Sequence, residues 1–292
     1  MARLKLVILT VLLLILLIIG MRESFLVLSL PYINGTRHLQ DTVDSRLGPA
    51  KVVHADHLII VTGHSIWNGP SKGKKSGISE SEWTLKEFQK GQQNTFIQHI
   101  ETGIKLASED THSLLIFSGG QTNNAAGPLS EALSYYNLAF SRGLVVEPLL
   151  QRITTEEFAK DSFENLLFSI CRFAEFTGHY PSKITVISHE FKRARFIDLH
   201  RSAIRFPLNT FYFKGIDPPG EPPLDGEQKN AVVPFTMDPY GCTNEVLITK
   251  RKDRNPFRRI EPYYVSCPAL RKLLLYCSPS GAMFEGFLPW DK

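Results

Sequence analysis

Three segments of the chain combine glycine, hydroxyl and imidazole groups, and each follows directly after a short apolar run. The first extends from Gly63 to Ser65, the second begins at Ser118, and the third begins at Ser188 with Arg193 close behind it. Glycines let backbone N–H groups approach an anion, and a helix N-terminus adds positive potential. Histidine can transfer protons near neutral pH. The pattern predicts a site that binds an anion and carries acid–base groups.

The candidate ligand-binding residues are those that follow the three apolar runs. They are Gly63, Ser65, Ser118, Gly119, Gly120, Gln121, Ser188, Glu190 and Arg193. We expect Gly119 and Gly120 to form an anion cradle, with an ordinary tight turn as the alternative. We expect the long side chain of Arg193 to fold back towards the third segment. Pairing with a surface carboxylate is the alternative for Arg193.

Four side chains are candidates for proton transfer. They are His64, His189, Glu131 and Glu164. Either glutamate could orient a histidine or a sugar hydroxyl. Each also suits a helix start, because a carboxylate in the first turn complements the helix dipole, and the span from Asp161 to Glu164 resembles a capping box. Both interpretations of the glutamates remain open from the sequence.

Several chemistries find no support in the sequence. The motifs HExxH, CxxC, Walker A, GxGxxG and GxSxG are all absent. No cofactor is demanded, and no cluster of metal-ligating residues is visible. The net charge of +4 does not indicate nucleic-acid binding. A local basic excess between Lys250 and Arg259 favours a solvated loop, with contact to a phosphate-bearing ligand or a lipid headgroup as the alternative.

The elements that position these residues alternate between strand-like and helical patterns. Apolar strands are predicted at residues 58–62, 113–117, 183–187 and 209–213, and helices at 92–108, 128–143, 161–178 and 188–204. Short apolar strands that alternate with helices indicate an α/β fold with a mostly parallel sheet covered on both faces. Ligands in such folds bind beyond the carboxyl ends of the strands. The three chemistry-bearing segments lie at that edge.

The chain begins with an apolar run from Leu6 to Met21, preceded by Arg3 and Lys5. As a helix this run would span about 24 Å, and the flanking basic residues can snorkel to reach the membrane surface. The pattern favours an uncleaved signal-anchor over a cleaved signal peptide, because no small-residue cleavage site follows. The positive N-terminal flank predicts a type II protein with its body in the lumen.

The predicted organisation has four parts. They are a cytoplasmic tip and anchor at 1–24, a luminal stalk at 25–55, an α/β core at 56–216 and an irregular, Pro-rich C-terminal extension packed on the core at 217–292. Asn34 lies in an N-glycosylation sequon. The four cysteines allow two disulfides or buried thiols; Cys171, inside a helical apolar pattern, is expected in the core. The short anchor favours the endoplasmic reticulum or Golgi membranes.

Five motifs occur in the order of the YdcF/SanA/ElyC-like family, a domain of unknown function that this chain resembles. They are IIVTGHS at 59–65, SGGQT at 118–122, SEA at 130–132, DSFEN at 161–165 and SHEFKRARF at 188–196. The strings HEFKRARF and DPYGC are similar to those of a eukaryotic, largely fungal branch. The resemblance implies a Rossmann-like three-layer fold and a connection with cell-envelope or lipid-carrier metabolism, without an agreed reaction.

The resemblance also implies a set of pocket residues. They are Gly63, Gly119, Gly120, Glu131, Glu164, Asn165, Ser188 and Arg193. The chain departs from the bacterial pattern at His64, where a second glycine is usual, and at Glu190, where many relatives have histidine.

The leading interpretation is a single-pass membrane protein of the secretory pathway whose luminal domain binds a phosphorylated or nucleotide-like ligand. Hydrolysis or group transfer in glycan, lipid-carrier or cell-envelope metabolism is the candidate reaction, and whether the protein is an enzyme stays open. The alternatives are a binding protein without turnover and a scaffold with a vestigial pocket. The expected partners are a small anionic ligand and the membrane, and not nucleic acid.

Overall fold

The computed structural model describes residues 45–52, 54–69 and 72–291. The chain divides into two compact units, Met1–Pro49 and Ala50–Lys292. In the first unit, residues 45–47 form a helical turn. The predicted anchor from Leu6 to Met21 and the sequon at Asn34 lie outside the described residues. Within the described ranges, no helix is long and apolar enough to cross a membrane.

The second unit is built around a sheet of five parallel strands in the order β5-β4-β1-β6-β7, beside a small antiparallel pair, β2 and β3. The bounds are β1 His57–Thr62, β2 Ile66–Trp67, β3 Trp83–Thr84, β4 Ser113–Ser118, β5 Ile153–Glu156, β6 Lys183–Ser188 and β7 Phe211–Gly215. The predicted α/β fold with a parallel sheet is confirmed. Four of the five strands match predicted apolar runs, whereas β5 was not predicted.

Helices cover both faces of the sheet and continue through the C-terminal extension. Their bounds are α1 Gln93–Glu109, α2 Glu131–Ser141, α3 Ser162–Thr177, α4 Arg201–Ala203, α5 Leu224–Glu227, α6 Val233–Met237, α7 Glu245–Asp253, α8 Tyr263–Ser266 and α9 Arg271–Leu274. The prediction of one regular helix at 188–204 was wrong. That span contains a short 3₁₀ turn, Glu190–Lys192, and a π-helical segment, Arg195–His200, before α4.

The sheet is buried on both faces because its strand residues alternate between two apolar clusters. Ile59 and Val61 point towards α1 and α2, while Leu58 and Ile60 point towards α3 and the C-terminal extension. The extension contributes Phe235 and other aromatic side chains to the second cluster. The resulting three layers are consistent with a Rossmann-like fold and place the carboxyl ends of all five strands at one edge.

Two disulfides fasten the extension. Cys171 in α3 is bonded to Cys267, and Cys242 is bonded to Cys277. Cys171 lies in the core as predicted, but as half of a disulfide and not as a buried thiol. The first bond therefore joins the extension covalently to the helix layer of the sheet, while the second closes a loop within the extension.

Removing the Cys171–Cys267 bond should destabilise the protein more than removing Cys242–Cys277. The two pairs are separated by 96 and 35 residues, so the first bond constrains a longer loop of the unfolded chain. Loop-closure entropy corresponds to roughly 4–5 and 3–4 kcal/mol respectively. Denaturant unfolding of the two double Cys→Ala variants measures this order. A larger loss from opening the shorter loop would contradict it.

Candidate functional site

A cavity of about 730 Å³ opens at the carboxyl edge of the sheet. Its walls come from the ends of β1 and β6, the loop between β3 and α1, the start of α2, and the C-terminal extension. This is the edge at which an open parallel sheet binds its ligands, and the volume lies within the range of small-molecule sites.

The structure brings half of the predicted residues to this cavity. Those that line it are Gly63, His64, Ser65, Glu131, Asn165, Ser188 and His189. The remaining predicted residues do not contribute to its walls and are Ser118, Gly119, Gly120, Gln121, Glu164, Glu190 and Arg193. The first and third chemistry-bearing segments thus meet at one site, while Ser118, Gly119, Gly120 and Gln121 of the second segment lie behind it and Thr122 lines the wall.

The turn at Gly119 and Gly120 is not an anion cradle. The Gly119 N–H donates to the Glu156 carbonyl at 3.0 Å, and the Gly120 N–H donates to the Ala159 carbonyl at 2.7 Å. Both donors are therefore engaged by the segment that follows β5. A side chain at Gly120 would begin 2.8 Å from the Ala159 carbonyl oxygen, so the glycine is required by the fold and not by a ligand.

Two glycines instead make room for Glu131. A Cβ at Gly63 would lie 2.5 Å from the Glu131 Cβ, and one at Gly119 would lie 2.7 Å from the Glu131 Oε2. The Thr122 hydroxyl donates a hydrogen bond to the same carboxyl group. Burial raises the pKa of Glu131. The ends of β1 and β4 thereby seat a carboxyl group in the cavity wall, where it can accept or donate a proton.

His64 joins the two sides of the site. Its Nε2 lies 3.4 Å from the hydroxyls of both Thr62 and Ser188, and its Nδ1 lies 3.2 Å from the Lys192 Nζ. Its ring stacks on His189 with the centroids 4.4 Å apart. The arrangement connects an amine, an imidazole and two hydroxyls, which is a path along which a proton can move.

The environment of the histidines in this cluster opposes their charged form. Burial lowers the pKa of His64 and of His189 well below the ordinary value, and lowers that of the neighbouring His99 to about 4. The nearby Lys192 ammonium adds to the effect in all three. Burial and a nearby cation both oppose protonation of His64 and His189, and the acid–base role of either histidine stays a prediction.

Seven basic side chains line the cavity. Two of them, Lys90 and Lys160, pair with carboxylates, and the other five converge from three separate segments of the chain. They are Lys86 from the β3–α1 loop, Lys192 and Arg195 from beyond β6, and Lys250 and Arg254 on and directly after α7. In the described ranges, no carboxylate forms an ion pair with Lys86, Lys192, Lys250 or Arg254. Arg195 alone has an acidic partner, Glu227, whose Oε1 lies 2.9 Å from its Nε but is not aligned for a hydrogen bond.

The proximity of these cations lowers the pKa values of the lysines among them. Burial, with Arg195 close by, lowers the pKa of Lys192 well below its usual range. Burial and Arg254 lower the pKa of Lys250 to about 8, and they also lower the pKa of Lys86. Lysines destabilised in the charged form by other cations regain that form when an anion binds among them.

Arg193 and Glu190 form a pair with each other outside the cavity. The Arg193 Nη2 donates to the Glu190 Oε2 at 2.8 Å, and the guanidinium packs on the Phe213 ring. Both side chains are nearly half exposed. The prediction that Arg193 faces the site was wrong, because the 3₁₀ turn that starts the segment directs Lys192 and Arg195 inwards instead.

Glu164 belongs to a structural network. Its carboxylate accepts a hydrogen bond from the Lys160 backbone N–H at 2.7 Å and lies 3.3 Å from the Arg251 Nε. Asp161 caps α3 by accepting from the Glu164 N–H at 2.9 Å. The prediction of helix initiation at this position is confirmed, and the carboxylate of Glu164 does not reach the cavity.

Ser118 and Gln121 do not line the cavity and instead make hydrogen bonds within the surrounding structure. The Ser118 hydroxyl lies 2.9 Å from the Asn165 Oδ1 and 2.9 Å from the Glu156 Oε2, so it positions an asparagine that does line the cavity. Gln121 donates to the Pro128 carbonyl and holds the loop before α2.

The sequence did contain a signal for the missed cations. Lys250 and Arg254 belong to the basic excess between Lys250 and Arg259, which the charge pattern had assigned to a solvated loop. The alternative of contact with a phosphate-bearing ligand fits their position at the cavity. Among the described residues, no group of three or more His, Cys, Asp or Glu side chains is placed to hold a metal ion.

Comparison with known proteins places the chain in a family. No family model matches the chain, and no solved structure matches it. The protein named "Uncharacterized protein YOR238W" of Saccharomyces cerevisiae is 34% identical over 284 residues, an alignment that covers 78% of this chain and 90% of the yeast protein. The chain therefore belongs to the same family as this yeast protein, whose name assigns no activity.

The affinity of the cavity for inorganic pyrophosphate should fall as the pH rises from about 7 to about 9. The Lys250 pKa of about 8 rises when an anion binds, so binding takes up a proton above that pH. The loss attributable to this one group approaches tenfold at about one unit above its pKa. Calorimetric titration across this pH range measures it.

Lys250→Arg is the matched control for that pH dependence, because a guanidinium remains charged throughout the range. Its affinity should fall less steeply than that of the wild type, and the titration of pyrophosphate itself cancels in the comparison. Parallel pH profiles for the two proteins would show that Lys250 does not interact with the anion.

Proposed function

We propose that this protein binds a phosphorylated or nucleotide-like anion in the cavity at the carboxyl edge of its sheet. The observation that supports the proposal is the convergence of Lys86, Lys192, Lys250 and Arg254 without carboxylate partners among the described residues. Four acidic residues, Glu131, Asp161, Glu221 and Glu227, also line the cavity, but the basic residues outnumber them. An excess of positive charge in a cleft raises the local concentration of anionic ligands. Phosphate is the biological anion that such a cluster accommodates best.

Hydrolysis or transfer of a group from that ligand is the candidate reaction. Glu131 offers a carboxyl group in the cavity wall, and the chain of contacts from Ser188 through His64 to Lys192 offers a path for a proton. Two alternatives do not need the proton path. One is a binding protein without turnover, and the other is a scaffold with a vestigial pocket.

Mass spectrometry of the small molecules that the purified full-length protein retains tests the binding proposal directly. A retained phosphorylated compound that emerges chemically unchanged, with no turnover of related metabolites, would favour the binding protein. A protein that retains no anion and binds none from a panel would favour the scaffold.

The membrane and luminal setting is also part of the proposal. Two disulfides that join the C-terminal extension suit an oxidising compartment, as in the secretory pathway. The apolar run from Leu6 to Met21 with its basic N-terminal flank supports a type II anchor in the Golgi or endoplasmic reticulum. The ordered motifs and the parallel sheet support a relationship to the YdcF/SanA/ElyC-like family.

Lys192→Ala should weaken pyrophosphate binding at least about tenfold, or ~1.4 kcal/mol. The change removes an unpaired cation from the cavity wall, together with its contact to His64. Arg193→Ala is the control from the adjacent position. It removes a similar charge outside the cavity and should change both affinity and stability little, because its exposed ion pair contributes about 0–1 kcal/mol. Isothermal titration of both variants measures the contrast, and equal losses would count against the cavity as the anion site.

In sealed microsomes, residues 56–292 should be protected from added protease and should become sensitive only after detergent is added. The charge asymmetry around the predicted anchor is the reason for this orientation. An immunoblot against a C-terminal epitope reports the result. Digestion of the body without detergent would overturn the proposed topology.

A further inference from the structure

We infer that the ligand is a nucleoside diphosphate whose base stacks on Phe88 at the rim of the cavity while its phosphates lie among the converging cations. The inference rests on the proposed function and specifies the class of its ligand. Phe88 lines the cavity and yet is 69% exposed. It belongs to the 3₁₀ turn Glu87–Gln89 in the loop between β3 and α1.

The backbone that carries Phe88 is fixed by its neighbours. The Gln89 side chain donates to the His64 carbonyl and accepts from the Lys86 N–H at 2.9 Å. The Gln92 side chain donates to the Phe88 carbonyl at 2.8 Å. The turn is thus tied to His64, which follows β1 and also contacts Lys192. A ring on such a backbone loses little further freedom when a ligand stacks on it.

The Phe88 ring is free to receive a planar group. Within the described part of the chain, neither an aromatic ring nor a cationic group stacks on it. The residues around it, KEFQKGQ from Lys86 to Gln92, are otherwise polar or glycine. An isolated aromatic ring in a polar segment fits the face of a nucleobase, whereas an alkyl chain would require a continuous apolar surface.

The rest of the cavity suits the other parts of a nucleotide. Thr122, Asn123 and Asn165 line it with hydroxyl and amide groups that can bond the hydroxyls of a ribose. The cations approach from beyond β6, from α7 and from the loop that carries Phe88 itself, since Lys86 lies two residues before the ring. Charge spread over two phosphates matches cations supplied by several segments better than a single phosphate does.

The test compares nucleoside diphosphates with inorganic pyrophosphate on the full-length protein in detergent. At least one of ADP, GDP, UDP and CDP should bind at least about tenfold more tightly than pyrophosphate. Phe88→Ala should reduce the affinity for that nucleotide at least about fivefold, which corresponds to ~1 kcal/mol of stacking, and should leave pyrophosphate binding unchanged. Phe88→Trp should retain the preference for the nucleotide.

Phe140→Ala provides the matched control, because this exposed aromatic residue of α2 does not line the cavity. It should leave both affinities unchanged. If pyrophosphate binds but no nucleotide binds more tightly, or if Phe88→Ala weakens an alkyl diphosphate and not the nucleotides, the inference is overturned while the proposed anion site stands. If neither pyrophosphate nor any nucleotide binds, the proposed function fails with it.

Discussion

The ion pair between Asp161 and Arg251 determines how the cavity is assembled. The Arg251 Nε donates to the Asp161 Oδ2 at 2.6 Å, and its Nη1 donates to the Gly241 carbonyl at 2.8 Å. Asp161 also caps α3, so one buried carboxylate joins a helix of the sheet layer to helix α7 of the extension. Burial alone would raise the pKa of Asp161, but the guanidinium holds it below its ordinary value. With Arg251 anchored in this way, its helical neighbour Lys250 and the following Arg254 reach the cavity.

A second buried carboxyl group, that of Glu156, also connects the sheet layer to the extension. Glu156, at the end of β5, accepts hydrogen bonds from the Phe158 N–H at 2.7 Å and from the Tyr263 hydroxyl at 3.1 Å. Burial raises its pKa to about 7, which leaves it partly protonated near neutrality. The two carboxyl groups and the Cys171–Cys267 bond each connect the sheet layer to the extension. The part of the site supplied by the extension is therefore connected to the sheet layer at three points.

The sequence predicted the parts of the fold that depend on local periodicity. The runs that became β1, β4 and β6 are continuous and apolar, and each was placed to within one residue at its carboxyl end. Strand β5 was missed because Ile153–Glu156 is short and mostly polar. The π-helical segment Arg195–His200 was missed because apolar spacing over six residues does not separate π-helical from α-helical winding. Arg195, the first residue of that segment, lines the cavity.

The candidate site was predictable only where strand ends define it. Gly63, His64 and Ser188 follow apolar runs, so the rule for parallel sheets places them at one edge. Lys250 and Arg254 lie far along the chain from those runs, and their approach depends on the long-range contact between Arg251 and Asp161. No local pattern reports such a contact. Gly119 and Gly120 gave a misleading signal, since the first makes room for the Glu131 side chain and the second for the Ala159 carbonyl.

The cation cluster carries an energetic cost that its surroundings must offset. Each of Lys86, Lys192 and Lys250 has its pKa lowered by burial and by neighbouring positive charge, so the charged forms oppose one another in the folded protein. The Cys171–Cys267 disulfide and the buried Asp161–Arg251 pair join the extension to the sheet layer despite that repulsion. The repulsion is relieved when an anion lies between the cations, and its relief adds to the free energy of binding. The contacts that connect the extension to the sheet layer thus also bring Lys250 and Arg254 to the cavity.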